Sequence, residues 1–134
     1  MSRAIQLTAL ALFLGSAAGA RSTCPVTLVT GTGDSDGFTI TFRNPGKLPI
    51  RRLEFDCKPV RGRADQGQSN HCTEANAYFL PGNEYTVRYT YPGGKPETVR
   101  VSLRMVSLGD GRALKPSHRD ACRLLRISPP KIKR

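Results

Sequence analysis

The sequence contains no tryptophan, no amphipathic helical pattern, and no second long apolar segment after the one at its N-terminus. Without tryptophan, the chain is not an antibody-type domain, since that domain is built around a buried tryptophan and an inter-sheet disulfide. Pairs with the spacing Cys-x-x-Cys or His-x-x-x-His, which typify zinc sites, are also lacking. These absences argue against an antibody domain, a membrane-anchored mature chain and a zinc protein.

Residues 1–20 are typical of a cleavable signal peptide. A positive start at Arg3 is followed by the mostly apolar segment Ala4–Leu14 and then by Ala18-Gly19-Ala20, which has the small-x-small pattern read by signal peptidase. The apolar segment is shorter than the about twenty residues that span a bilayer. We therefore expect cleavage before Arg21, a secreted or periplasmic location, and no transmembrane segment in the mature chain.

The rest of the chain, 21–128, is dominated by period-two alternation of apolar and polar residues. Strands are predicted around Phe38–Phe42, Leu53–Cys57, Tyr85–Tyr91 and Val99–Met105. Three shorter strands are expected at Val26–Val29, Ala77–Leu80 and Leu124–Ile127. About seven short antiparallel strands predict an all-β, disulfide-stapled, two-sheet sandwich of the immunoglobulin or fibronectin type, with a small closed β-barrel as the alternative.

Turn signals lie between these strands. Pro92–Pro96 is predicted to join the third and fourth main strands as a hairpin, and Asp110-Gly111 marks a second hairpin. The segment Gly31–Gly37 carries fragments of a calcium loop and of a nucleotide loop, but its flanking strands favour a simple hairpin turn. The expected core consists of Phe38, Ile40, Phe42, Ile50, Leu53, Phe55, Tyr85, Val87, Tyr89, Val99, Val101 and Leu103.

Two stretches resemble known proteins. "FTITFRNPGKLPIRRLEFDC" (38–57) and "VSLRMVSLGDGRAL" (101–114) are similar to motifs of small exported bacterial immunoglobulin-like β-sandwich proteins of unknown function. Leu114 stands where those proteins often carry tryptophan. The resemblance covers about residues 38 to 114, implies the fold and the export, and transfers no active site.

The charge balance is strongly basic. The chain has 21 basic and 10 acidic residues, for a net charge of +11. Arg3 is the only charged residue that cleavage of the signal peptide would remove. Such a surface attracts polyanions such as nucleic acid, anionic lipid or acidic glycans, but a solvated surface without a polyanionic partner is the favoured interpretation of the charge. Residues 129–134 form a basic C-terminal tail that begins with two prolines.

The four cysteines predict two disulfides, for which three pairings exist. A Cys57–Cys72 bond would close the polar loop between two strands, worth roughly 3 kcal/mol in the chain-entropy model. Cys24 would then pair with Cys122 near the starts of the first and last strands, which often run side by side in such sandwiches, and this bond would be worth roughly 4.7 kcal/mol. Pairing of Cys24 with Cys57 and of Cys72 with Cys122 is the main rival.

Three interpretations of the Cys57–Cys72 loop compete. It is a stapled display loop, a zinc site using Cys57, His71, Cys72 and a fourth ligand from His118 or Cys122, or a catalytic site in which His71 or His118 acts in acid–base chemistry. Spacing argues against zinc, and no catalytic signature surrounds either histidine. We favour the display loop. If the loop binds an acidic partner, its contact residues are expected to be Lys58, Arg61, Arg63 and His71, and a variable loop without a partner is the alternative.

The sequence thus predicts an exported, non-catalytic binding or structural accessory module without a cofactor. Its partner is expected outside the cytoplasm and is not identified by the sequence, with an acidic surface or a polyanion as one candidate, and the chain is expected to be a monomer. A cationic polyanion-binding protein is the first alternative. A small secreted hydrolase or nuclease that uses His71 or His118 is the second.

Overall fold

The computed structural model describes residues 24–60, 71–116 and 122–131, which contain eight β-strands. In chain order, these are β1 (Thr27–Gly33), β2 (Gly37–Arg43), β3 (Ile50–Pro59), β4 (His71–Glu74), β5 (Glu84–Thr90), β6 (Val99–Leu108), β7 (Ala113–Leu114) and β8 (Leu125–Ile127). Within these ranges, no helix is long and apolar enough to cross a membrane. The predicted signal peptide, 1–20, and the end of the basic tail, 132–134, lie outside the described residues.

The strands form two antiparallel sheets, as a sandwich requires. One sheet has three strands in the order β1-β2-β5, and the other has five, in which β4, β3 and β6 are neighbours. β7 and β8 both pair with the remaining edge of β6, β7 near its C-terminal end and β8 near its N-terminal end. The predicted two-sheet sandwich is confirmed, and the alternative of a closed barrel is wrong for the described strands.

The turns bear out part of the prediction. β1 and β2 form the expected hairpin, and the Asp110-Gly111 hairpin joins β6 to β7, with Gly111 at a φ of 91° that favours glycine. The predicted Pro92–Pro96 hairpin is wrong, because β5 and β6 belong to different sheets and the segment crosses between them. The tight turn is present, with Gly93 and Gly94 at positive φ. The residues of the turn do not indicate which sheet each flanking strand joins. Both strands show the same two-residue alternation whether they pair with each other or with other strands.

Ala77–Leu80 is also not a full strand. Phe79 makes a single bridge to Ile50, with backbone hydrogen bonds of 2.9 Å in both directions. This bridge brings the Phe79 ring edge-on against Phe42, with 4.9 Å between the ring centroids. The segment therefore closes one end of the core without extending either sheet.

The core lies between the two sheets. Every predicted core residue outside β5 is buried, and Phe38, Ile40, Phe42, Ile50 and Leu53 have no exposed surface. The three predicted core residues of β5, Tyr85, Val87 and Tyr89, are only half-buried. β5 is the edge strand of the smaller sheet, so its side chains have neighbours on one side only.

Both disulfides follow the pairing that the sequence analysis favoured. Cys57–Cys72 joins β3 to β4 on the core side, and both residues are buried. Cys24–Cys122 joins the segments that precede β1 and β8, with 5.0 Å between the Cα atoms. β1 and β8 belong to different sheets yet run alongside each other, and Gly31 of β1 packs against Ile127 of β8. The second disulfide therefore ties the two sheets together at one side.

Candidate anion-binding face

The outer face of the three-stranded sheet is covered by threonines. Directly opposed threonines join their hydroxyl groups across the strands, Thr32 to Thr39 at 2.7 Å and Thr41 to Thr86 at 2.9 Å. Thr30 and Thr90 extend the same face. Cross-strand threonine pairs of this kind stabilise a sheet. We call this surface the threonine face.

The charged groups of the threonine face are neutralised in pairs. Arg43 lies opposite Glu84 and donates to it at 2.8 Å, and Arg88 donates to Asp34 at 2.8 Å. The Asp34 carboxylate also accepts the backbone N–H groups of Asp36 and Gly37 and so closes the β1–β2 turn. The Arg88 hydrogen bond, followed by these backbone bonds, holds the pKa of Asp34 well below its usual value. The face therefore carries structural ion pairs and no excess of one sign.

The outer face of the five-stranded sheet is different. The two carboxylates that the described residues place on this face each have an arginine beside them: Arg52 donates to Glu54 at 3.2 Å, and Arg104 lies 4.0 Å from Asp56. Three further cations on this face have no such partner among the described residues. They are Lys58, Arg100 and Arg126.

These three cations lie in one line across three neighbouring strands. In the ladder, Lys58 of β3 is directly opposite Arg100 of β6, which in turn is directly opposite Arg126 of β8. All three side chains are exposed, and none forms an ion pair with another residue of the ranges that the structure describes. We call this line the basic row.

Local sequence explains why the three side chains face solvent. Arg100 stands between the buried Val99 and Val101, and Arg126 stands between the buried Leu125 and Ile127. Because successive side chains of a strand point to opposite faces, burial of the neighbours turns each arginine outward. Lys58 follows the buried Cys57 in the same way.

The basic row works against folding. Like charges directly opposite each other on adjacent strands destabilise the sheet, and the row contains two such pairs in succession. Places where a sequence departs from locally favourable choices are expected at functional sites. The threonine face shows that the same chain pairs its charges elsewhere.

A pair of hydroxyl groups flanks the row. Thr98 immediately precedes β6 and Ser128 immediately follows β8, two residues from Arg100 and Arg126 respectively, and their hydroxyls are hydrogen-bonded to each other at 3.0 Å. Two hydroxyls have two hydrogens, and their mutual bond uses one of them. The other hydrogen is available to an anion beside the row.

Only part of the predicted binding loop lies within the described residues. Lys58 stands exposed at the loop's base and is a member of the basic row. His71 begins β4, where its backbone is opposite Asp56, whereas Arg61 and Arg63 lie outside the described residues. Their roles, and that of the loop, stay predictions.

Arg100 and Arg126 were missed as site residues. Their outward orientation follows from the alternation of their strands, but their proximity to Lys58 depends on ladder register. Strands β3, β6 and β8 are far apart in sequence, and no local signal indicates which residues face each other. The structure thus adds a sheet-centred candidate site, which shares Lys58 with the predicted loop site.

Among the described residues, no three histidine, cysteine or acidic side chains are grouped as a metal site. The zinc hypothesis required thiolates from Cys57 and Cys72, which are bonded to each other. The second candidate histidine, His118, lies outside the described residues, so the hydrolase alternative stays a prediction.

An open depression of about 670 Å³ lies at one end of the sandwich, bounded by Cys24, Lys47 and Leu114 among others. Its buried polar side chain is Asn44. The Asn44 amide donates to the carbonyls of Leu48 and Phe79 and accepts the N–H of Gly46. Because these bonds hold the turn after β2, this amide is committed to structure.

No protein-family model and no curated protein matches this chain. The class of protein is therefore defined by the fold: a small two-sheet β-sandwich with two disulfides. The candidate site of this sandwich is the basic row on one outer face.

Proposed function

We propose that this protein is an exported, non-catalytic binding module that holds an acidic partner against the basic row. The observation that carries the proposal is the alignment of Lys58, Arg100 and Arg126 across three hydrogen-bonded strands. A bound anion offsets the repulsion between the three cations of the row, so binding also stabilises the sheet.

The scaffold suits such a role. The row lies on paired strands whose inward neighbours are buried, so its backbone is held in place before a partner arrives. A preorganised surface loses little conformational freedom on binding. Arginine, which supplies two of the three charges, can donate two parallel hydrogen bonds to a carboxylate, phosphate or sulfate.

Export is supported by two independent features. The N-terminal segment has the pattern of a signal peptide, and all four cysteines are in disulfides. Disulfides persist in oxidising compartments outside the cytoplasm and are rare inside it. We therefore place the partner outside the cytoplasm.

Retention on immobilised heparin in a salt gradient tests the proposal. The row variant K58Q/R100Q/R126Q is compared with K47Q/K95Q/K115Q, which removes the same charge from three exposed lysines that lie in connecting segments. We expect the row variant to elute at much lower salt than the wild type and the lysine variant to elute close to it. Equal effects of the two variants would show that net charge alone governs binding and would contradict the proposal.

The proposal that the protein has no catalytic activity is tested separately. Nuclease and esterase assays on the purified mature protein should show no turnover. Activity that disappears when His71 and His118 are both replaced by alanine would instead establish the hydrolase alternative.

A further inference from the structure

We infer that the ligand is a linear, sulfated glycan that lies along the basic row, across the strands. This inference rests on the proposed function and adds the chemical class of the partner and its direction on the sheet. Three features carry it: the one-dimensional arrangement of the cations, the groups on either side of the row, and the composition of the surrounding face.

The first feature is the shape of the positive region. Neighbouring strands lie about 4.8 Å apart, so the backbone positions of Lys58 and Arg126 are about 10 Å apart with Arg100 between them. The row is therefore a line perpendicular to the strands, one residue wide. A chain with repeated anionic groups can follow such a line and meet several cations in succession.

The second feature is the difference between the two sides of the row. On one side, the next outward position of β3 is Asp56, and Glu54 follows beyond it. On the other side lie the neutral hydroxyls of Thr98 and Ser128. A broad anionic surface, such as a membrane, would also cover Asp56 and Glu54, whose charges are already balanced by Arg104 and Arg52, and would gain little there. A single linear chain avoids both carboxylates and gains a hydroxyl donor.

The third feature is that no outward-facing residue of β3, β6 or β8 is aromatic. Proteins that bind single-stranded nucleic acid stack the bases on aromatic rings. The exposed aromatic residue Tyr78 belongs to the segment before β5, and the guanidinium of Arg51 lies 5.2 Å from its ring centre. Cations with hydroxyl donors and no stacking surface match a sulfated sugar chain better than a nucleic acid.

The test moves one charge without changing the total. Arg126→Gln removes the end of the row, and S102R in the same chain restores the charge on the same face of β6 but outside the row. Ser102 is directly opposite Asp56, so the new guanidinium has a neighbouring carboxylate. The probe is a fluorescent heparin octasaccharide, and affinity is measured by fluorescence anisotropy at low salt.

We expect R126Q to weaken binding roughly fivefold, the loss of one charge-assisted contact, and R126Q/S102R to remain equally weak. If the double variant binds like the wild type, the face acts through total charge, and the linear arrangement is refuted while the proposed function stands. If R126Q and K58Q/R100Q/R126Q both bind like the wild type, the proposed function fails as well. Circular dichroism and thermal unfolding of each variant show that it is folded.

Two further arms distinguish the class of ligand. The wild type is titrated with a single-stranded oligonucleotide of the same charge as the octasaccharide and with vesicles that contain phosphatidylglycerol. We expect weaker binding to both than to the octasaccharide. Equal or tighter binding to either probe, lost in the row variant, would assign the row to nucleic acid or to a membrane and overturn the inference.

Discussion

Replacement of Arg100 by glutamine should stabilise the folded protein while it weakens binding. Arg100 is the central member of the basic row and faces a cation on each side, Lys58 and Arg126. Glutamine keeps much of the side chain's length and its polarity but carries no charge, so the variant removes both like-charge pairs. The variant leaves the packing of the buried Val99 and Val101 side chains unchanged.

The size of the gain follows from electrostatics at the surface. Two unit charges about 5 Å apart repel by about 0.8 kcal/mol in water and more near a protein surface, and opposed like charges on strands cost roughly 0.2–1 kcal/mol each. Relief of two pairs predicts a gain of about 1 kcal/mol in the free energy of unfolding. For a domain of this size, that corresponds to a rise of roughly 4 °C in Tm.

Urea unfolding at low salt and at 1 M salt measures this effect. At 1 M salt the Debye length is about 3 Å, so the gain should largely disappear. Lys58→Gln and Arg126→Gln each relieve one pair and should give about half the gain. Lys115→Gln, at an exposed position in a connecting segment, controls for the general effect of net charge. If Arg100→Gln is no more stabilising than Lys115→Gln at low salt, the row carries no stored repulsion and the reasoning is refuted.

Two predictions concern the rest of the sandwich. The lowered pKa of Asp34 means that its ionised form stabilises the fold above the usual carboxyl pKa of 3.8 and that this contribution is lost as the pH falls below that value. Asp34→Asn cannot ionise and loses the Arg88 ion pair, so this variant should lose less Tm than the wild type between about pH 5 and pH 2. An equal loss of Tm in the two proteins would contradict this. Gly31→Ala would place a methyl group against the Ile127 side chain and should cost about 1–3 kcal/mol. Gly46→Ala, whose methyl would have 3.4 Å to its nearest neighbour, should change the urea midpoint little, and equal effects of the two substitutions would refute the proposed close packing of β1 against β8.

Local alternation was sufficient to predict the inward faces of the main strands. Phe38, Ile40 and Phe42 are fully buried because the period of two is strict and both neighbours of Ile40 are polar threonines. The same rule overestimated the burial of Tyr85, since alternation shows which way a side chain points but not whether its strand lies at a sheet edge. Burial at an edge depends on the order of the strands, which is a non-local property.

Strand order also explains what the sequence could not predict about the candidate site. Lys58 was singled out because it is close in sequence to other cations and to a cysteine. Arg100 and Arg126 have no local feature that separates them from the other arginines. Their significance comes from ladder register, which places both beside Lys58 on one face.

The two outer faces differ in whether their cations already have carboxylate partners. On the threonine face, Arg43 and Arg88 are each held by a carboxylate at 2.8 Å, so an added anion would have to displace an existing partner. On the opposite face, no described carboxylate lies within ion-pair distance of Lys58, Arg100 or Arg126. We therefore expect an anionic ligand to distinguish the faces even though both carry arginine.

That distinction provides the most direct test of a binding function centred on the row. The isotopically labelled mature protein is titrated with the heparin octasaccharide, and the shifts of the backbone amide resonances are mapped by nuclear magnetic resonance. We expect the largest shifts around Lys58, Arg100 and Arg126, a smaller effect at Thr98 and Ser128, and unchanged resonances on the threonine face. Shifts that are spread evenly over both faces, or that are concentrated on the threonine face, would contradict a binding function centred on the row.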